Sequence, residues 1–120
     1  MIISIIIPTA DRPKLLDRAI KSIALLSELP AEVIIIDDGI TSINDDYFKS
    51  IETNHCRLTI KYKKTKGKEG PSASRNIGVE IANGDILLFL DDDDEMLADY
   101  TQRVRNILKN HHDIDFGFSN

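Results

Sequence analysis

The stretch Ile86-Leu87-Leu88-Phe89-Leu90-Asp91-Asp92-Asp93-Asp94 sets an unbroken apolar run directly against four carboxylates. A short apolar run without polar alternation is what a strand buried on both sheet faces requires. Two other runs read the same way, so strands are expected at Ile2–Ile7, Glu32–Asp37 and Asp85–Asp91. Helical spacing fills the gaps. In Pro13–Ser27, residues Leu16, Ala19, Ile20, Ile23 and Leu26 recur at three- and four-residue steps. Asp11 is the expected N-cap there, with Pro13 in the first turn. Further helices are expected over Asn44–Thr53, Pro71–Ala82 and Leu97–Lys109. Ala73, Ile77 and Ile81 share one face of the Pro71–Ala82 helix, and Asn83-Gly84 closes it with glycine as a left-handed C-cap. Arg57–Tyr62 and Ile114–Phe118 complete the strands, and Lys61–Lys68, with five lysines in eight residues, reads as a mobile loop.

Strand alternating with helix predicts an α/β fold, a Rossmann-like three-layer sandwich with a mostly parallel sheet and right-handed crossovers. At 120 residues, 42% hydrophobic and 29% charged, the chain fits one domain spanning 1–120 with one core. A net charge of −5 argues against nucleic-acid binding through the overall field. The single Cys56 excludes an internal disulfide and a multi-cysteine zinc site. No apolar run reaches the roughly 18–20 residues of a membrane helix, and no basic region precedes the first apolar stretch. A cytoplasmic chain is expected, with the cytoplasmic face of the membrane as a peripheral station.

Ligands of open α/β sheets bind beyond the carboxyl ends of the strands, and the polar residues collect there. The first strand runs into Pro8-Thr9-Ala10-Asp11-Arg12, the second into Asp37-Asp38-Gly39, the third into Asp91–Asp94 and Glu95. Four adjacent carboxylates repel one another, and a hard divalent cation removes that cost. Carboxylates at i and i+2 of an extended segment, such as Asp91 and Asp93, can share the ion. The alternative is a solvated acidic turn ahead of a helix, but a strand's carboxyl end favours the metal. Asp37-Asp38-Gly39 reads equally as a base or ribose contact and as a turn bonding its own backbone, with Gly39 permitting the bend. Gly70–Asn76 opens a helix with small residues, so it either receives phosphate, with Arg75 as a fixed charge, or simply starts the helix. His55, His111, His112 and Cys56 read as structural or surface residues. Neither GxGxxG nor GxxxxGK[ST] occurs, which disfavours a dinucleotide oxidoreductase and a P-loop hydrolase.

Taken together, Ile3–Thr9, Val33–Gly39, Gly70–Asn76 and Phe89–Asp94 resemble the nucleotide-sugar-binding half of the family 2 glycosyltransferases, of GT-A fold. The resemblance implies a metal-dependent, inverting transfer of a sugar from a nucleotide-diphosphate donor to an acceptor hydroxyl. It implies that Pro8, Thr9, Asp11, Arg12, Asp38, Gly39, Arg75, Asn76, Asp91 and Asp92 bind the donor. Thr9 would line the base pocket, Asp38 would contact the base, typically uracil, and Arg75 and Asn76 would lie near the ribose-diphosphate. Asp91 and Asp93 match the DxD motif and would hold Mn²⁺ or Mg²⁺, with Asp92 facing ribose or sugar. The implied partners are a UDP-sugar and a glycan, lipid-linked or protein acceptor, with no nucleic acid.

Two places depart from the family pattern. Ala10 and Asp11 replace an aromatic residue and Asn, and Ile40 and Ser42 replace Ser and Asp. The catalytic base and acceptor site are expected in a second half, which would make this chain an N-terminal fragment or truncated form. A truncated chain would also leave an apolar face open to a homo-oligomer. Two other classes remain in view: a nucleotide-binding or interaction module without turnover, and a receiver-like phosphoacceptor domain. The latter would need an acidic pair after the first strand, which here ends at Pro8-Thr9.

Overall fold

A computed structural model of the chain describes residues 1–55 and 57–111. Its elements run β1 (Ile3–Thr9), α1 (Pro13–Ala24), β2 (Glu32–Asp37), α2 (Asp45–Asn54), β3 (Ile60–Lys64), α3 (Pro71–Ile81), β4 (Ile86–Phe89) and α4 (Tyr100–Asn110). The expected strand at Ile114–Phe118, His112 and Cys56 lie outside the described residues.

Both faces of the sheet are covered, which explains its unbroken aliphatic runs. Ile3, Ile5 and Ile7 of β1 and Val33 and Ile35 of β2 pack with Leu16, Ala19, Ile20 and Ile23 of α1 and Phe48 and Ile51 of α2. Val104 and Leu108 of α4 join the same cluster. On the opposite face Ile6, Ile34 and Ile36 meet Ile77 and Ile81 of α3. The three-layer expectation holds.

The four strands are all parallel in the order β3-β2-β1-β4. The chain thus builds outward from β1 to β3, then crosses to β1's other side. That reversal between β1 and β4 is the topological switch point where α/β sheets open a ligand crevice. Backbone parity explains why the crevice opens where it does. Even-numbered residues of β1 turn toward β4, with Ile86 N–H donating to the Ile2 carbonyl and Leu90 N–H to that of Ile6. Pro8 shares that parity but lies past the last β4 partner, Phe89 opposite Ile6. A proline there forfeits no ladder bond, and the two strands part.

Several element ends differ from the sequence reading. β1 extends to Thr9, and β4 stops at Phe89 because the chain then turns, Asp94 N–H donating to the Asp91 carbonyl at 3.1 Å. The acidic run is therefore a turn and not an extended segment. β3 begins at Ile60, so Lys61, Lys63 and Lys64 stand on a sheet-edge strand and not in a loop. Lysines on an edge oppose pairing with another chain. α1 ends at Ala24, three residues early, and α4 begins three residues late.

Two glycine or cap assignments also change. Arg12 occupies the N-cap position of α1, while Asp11 takes a left-handed φ of 55° and accepts from Ile40 N–H at 3.0 Å. Ala82 leaves α3 in an extended conformation, and Gly84 is not left-handed. Gly84 is required by close approach instead: a Cβ there would lie 2.5 Å from Ser4 Oγ.

That approach belongs to a buried polar knot at the sheet's amino end. Glu32, 4% exposed, accepts from Ser4 Oγ at 2.6 Å and Asn83 N–H at 2.7 Å, and pairs with Lys61 Nζ at 2.5 Å. Burial pushes the Glu32 carboxyl up, but Lys61, Ser4 and Asn83 outweigh it and hold it below its ordinary 4.5. A carboxyl depressed in the folded state stabilises above its unfolded pKa and loses that contribution as pH falls through the folded value. Urea unfolding should show stability falling as pH drops below about 4.5, with a shallower fall in Glu32→Gln. At Gly78, a Cβ would meet Ile6 Cγ2 at 2.4 Å. Gly78→Ala should cost about 1–3 kcal/mol by overpacking, and a double-mutant cycle with Ile6→Ala, which removes Cγ2, should show a favourable coupling between the two sites.

Candidate functional site

A cleft of about 300 Å³ lies at the carboxyl ends of β1 and β4. Its walls are Pro8, Thr9, Ala10 and Arg12 after β1, Asp38 after β2, Pro71, Ser74 and Arg75 on α3, and Asp91, Asp92 and Asp93 after β4. Segments as far apart in sequence as Thr9 and Asp92, 83 residues, thus meet at the switch point.

The acidic turn is sorted by burial. Asp92 is 6% exposed, whereas Asp91, Asp93 and Asp94 are exposed. Asp92 turns inward and accepts from Thr9 Oγ1 at 2.8 Å and from Arg12 Nη1 at 3.3 Å. It anchors the turn to the end of β1. Arg18 on α1 adds a bond from its guanidinium to the Asp93 carbonyl at 2.8 Å. Arg75 Nη2 lies 2.8 Å from Asp91 Oδ1, and Arg12 Nη1 4.0 Å from Asp93 Oδ2. Like-charge repulsion in this turn is relieved by burying Asp92 and bringing arginines to Asp91 and Asp93.

Asp91, Asp93 and Asp94 each offer a carboxylate oxygen, and these atoms lie within 4.8 Å of one another. Hard oxygen donors that stay solvent-accessible suit Mg²⁺ or Mn²⁺, which keep waters and phosphates in their shells. The sequence reading named Asp91 and Asp93; Asp94 was missed because only the turn carries it to the same side.

Of the two aspartates after β2, only Asp38 reaches the cleft. Asp37 is buried and accepts from Tyr62 Oη at 2.6 Å and from Gly39 N–H at 2.9 Å, a turn bonding its own backbone. Asp38 ties down the 65–70 loop: Thr65 Oγ1 donates at 2.5 Å, Gly70 N–H at 2.8 Å and Glu69 N–H at 3.0 Å. The Thr65 bond chiefly, against burial, then the Glu69 and Gly70 amides and Lys64, hold its carboxyl below the usual range. This carboxylate positions the start of α3, and with it Arg75.

Three expected site residues fall elsewhere. Asn76 is exposed on α3, outside the cleft wall. Asp11 faces a neighbouring hollow of about 460 Å³ shared with Pro13, Leu16, Asp37, Ser42 and Tyr47. Gly39 lines neither. It is glycine because a Cβ would come 2.6 Å from Asp11 Oδ1, with its φ outside the left-handed region, so close approach and not a sharp bend requires it. Pro71 and Ser74, which do line the cleft, carried no signal beyond the small-residue start of α3. Ala10 stands in the wall without a ring to stack on a base.

A sequence model for glycosyl transferase family 2 matches residues 4–119. The chain belongs to this family. It is 36% identical over 97 residues to GalNAc(5)-diNAcBac-PP-undecaprenol beta-1,3-glucosyltransferase of Campylobacter jejuni, covering 80% of this chain and 31% of that one. S. aureus TarS 1-349 in complex with UDP-GlcNAc superposes with a TM-score of 0.77 at 23% identity, covering 100% of this chain and 37% of that one. Mannosyltransferase PcManGT from Pyrobaculum calidifontis, in complex with GDP-Man and Mn²⁺, gives a TM-score of 0.76 at 19% identity, with coverages of 88% and 32%. The two solved structures share the fold, the GT-A arrangement expected from the sequence. The chain spans less than half the length of the relatives it matches. No helix among the described residues is long and apolar enough to cross a membrane.

The anchor of the acidic turn is open to test. Thr9→Val removes the hydroxyl but keeps the shape, leaving a buried oxygen of Asp92 without its donor. Chemical denaturation should show a loss of about 1–3 kcal/mol, and Thr9→Ser should restore most of it.

Proposed function

We propose that this member of the family forms the donor-binding part of a glycosyltransferase, which moves a sugar from a nucleoside diphosphate to an acceptor hydroxyl. One observation carries the reading: Thr9, Arg12, Asp38, Arg75 and Asp91–Asp93 converge on a single cleft at the β1/β4 switch point. The UDP-GlcNAc and GDP-Man complexes of the two structural neighbours support a nucleotide-sugar in that cleft. We favour a UDP-sugar, because the neighbour covering the whole chain holds a uridine nucleotide.

In this reading the base and ribose lie between Pro8, Thr9 and Asp38, and the diphosphate lies toward Arg75, Arg12 and the first turn of α3. Backbone N–H groups at that helix start and two guanidinium forks suit phosphate oxygens. Asp92 and Thr9 hold the acidic turn at the distance from β1 that the donor needs. Asp91, Asp93 and Asp94 would hold Mn²⁺ or Mg²⁺, which when bound neutralises the charge of the departing diphosphate. Displacement at the anomeric carbon would invert its configuration. The base that takes the acceptor's proton, and the acceptor site itself, are assigned to the length that the relatives carry beyond this match. A lipid-linked glycan is a fitting acceptor, given the undecaprenol-linked name of the Campylobacter relative. Such an acceptor fits a cytoplasmic protein working at the membrane face. Exposed Leu25, Ile40 and Leu97 favour burial against further chain or a second copy.

Calorimetric titration with UDP tests the reading. Binding is expected with Mn²⁺ present and should weaken by about tenfold or more, some 1.4 kcal/mol, after chelation or in Asp91→Asn/Asp93→Asn. Equal affinity under all three conditions would exclude this assignment of the cleft.

A further inference from the structure

We infer that Arg75 is the resident counter-cation of Asp91, and that a divalent ion takes full hold of the acidic turn only when a diphosphate draws this guanidinium away. This deepens the proposed donor site and rests on that reading. The juxtaposition behind it is direct. Of the three carboxylates that can gather around an ion, Asp91 already meets Arg75 Nη2 at 2.8 Å and Asp93 lies 4.0 Å from Arg12 Nη1. Asp94 has no ion-pair partner among the described residues. An incoming cation therefore competes with a cation that is part of the protein.

The competition is built to be reversible. Arg75 cannot shed its proton, so it leaves Asp91 only by moving. Its side chain is 36% exposed and that of Asp91 54%, so the pair sits in solvent and is weak. A diphosphate offers several oxygens to the guanidinium fork, a stronger and more directional partner than one carboxylate oxygen. Both Arg75 and Asp91 line the same cleft, so the exchange needs only a side-chain swing. Once Arg75 turns to phosphate, Asp91 is uncovered and the turn regains the repulsion that an ion relieves. Ion and diphosphate then bind with positive coupling, and by linkage each tightens the other by the same factor.

The turn itself does not depend on Arg75. Asp92 is held by Thr9 and Arg12, and the Asp93 carbonyl by Arg18. Removing Arg75 should thus leave the three carboxylates in place, which separates the exchange from a structural role.

The test measures Mn²⁺ binding to the chain, by the fall in the free-ion paramagnetic resonance signal, alone and with saturating UDP. The ion's binding to free nucleotide is subtracted. Wild type should bind Mn²⁺ alone weakly and gain about tenfold or more with UDP, within the usual range of coupling between sites. Arg75→Gln should bind Mn²⁺ alone several-fold tighter than wild type, while its gain with UDP shrinks to what the ion's own contact with phosphate supplies. Arg75→Lys, which returns a cation without the fork, should bring Mn²⁺ affinity back toward the wild-type value. Arg75→Gln binding Mn²⁺ alone no better than wild type would overturn the exchange, even if UDP still requires the metal. Should Arg75→Gln fail to fold, the Lys variant and the wild-type coupling still decide, because wild-type Mn²⁺ affinity unmoved by UDP also overturns it. Wild type and Asp91→Asn/Asp93→Asn binding Mn²⁺ equally would remove the metal site itself, and the exchange with it.

Discussion

Four consecutive carboxylates cannot sit in one folded turn without something to offset their repulsion, and the arrangement around the cleft follows from how this chain does it. One of the four, Asp92, is buried and tied to Thr9 at the end of β1. The others stay at the surface with arginines from α1, α3 and the residue before α1 close by. Burying Asp92 with a hydroxyl and a guanidinium keeps a charge inside at tolerable cost. It also sets the distance between the β1 and β4 ends, and hence the width of the cleft.

The sheet supplies the gap that this contact spans. β4 pairs with β1 while β2 and β3 lie on the other side, so the strand order reverses there. α1 and α4, which follow β1 and β4, share one layer, and α3, which leads into β4, covers the other face. Pro8 ends the ladder on the β4 side without leaving a donor unpaired. The cleft is thus a consequence of strand order and of a β1/β4 ladder that ends at Ile6 and Phe89, and the charged residues decorate an opening that the backbone already makes. Asp38 adds the third wall by fastening the 65–70 loop, which sets where α3 begins.

Much of this was legible in the residues. Ile5-Ile6-Ile7 and Ile34-Ile35-Ile36 carry no polar alternation, which only a sheet covered on both faces tolerates. The 3.6-residue spacing of Leu16, Ala19, Ile20 and Ile23 announced α1, and four polar clusters placed against strand and helix ends announced a site. Other features were silent. Asp11 looks like an N-cap by residue type, yet its carboxylate serves Ile40 N–H in another loop, a partner 29 residues away. Gly39 and Gly84 look like turn glycines, and both are instead places where a strand end or loop passes too close for a Cβ. Which of Asp37 and Asp38 faces the cleft depends on Tyr62 of β3 claiming the first.

Sequence by itself determined the periodicities, the order of elements and the chemical character of each strand end, because these depend on neighbours within a few residues. It also carried the family: the motifs at four strand and helix ends pointed to it, and the family model matches residues 4–119. Tertiary structure alone decided which carboxylate is buried, that Asp94 joins Asp91 and Asp93, and that Arg75 rests on Asp91. The first and last depend on where chain segments 83 and 16 residues apart come to lie, and side-chain pairing at such separations leaves no local pattern to read; the second follows from the turn that replaces the expected extended segment.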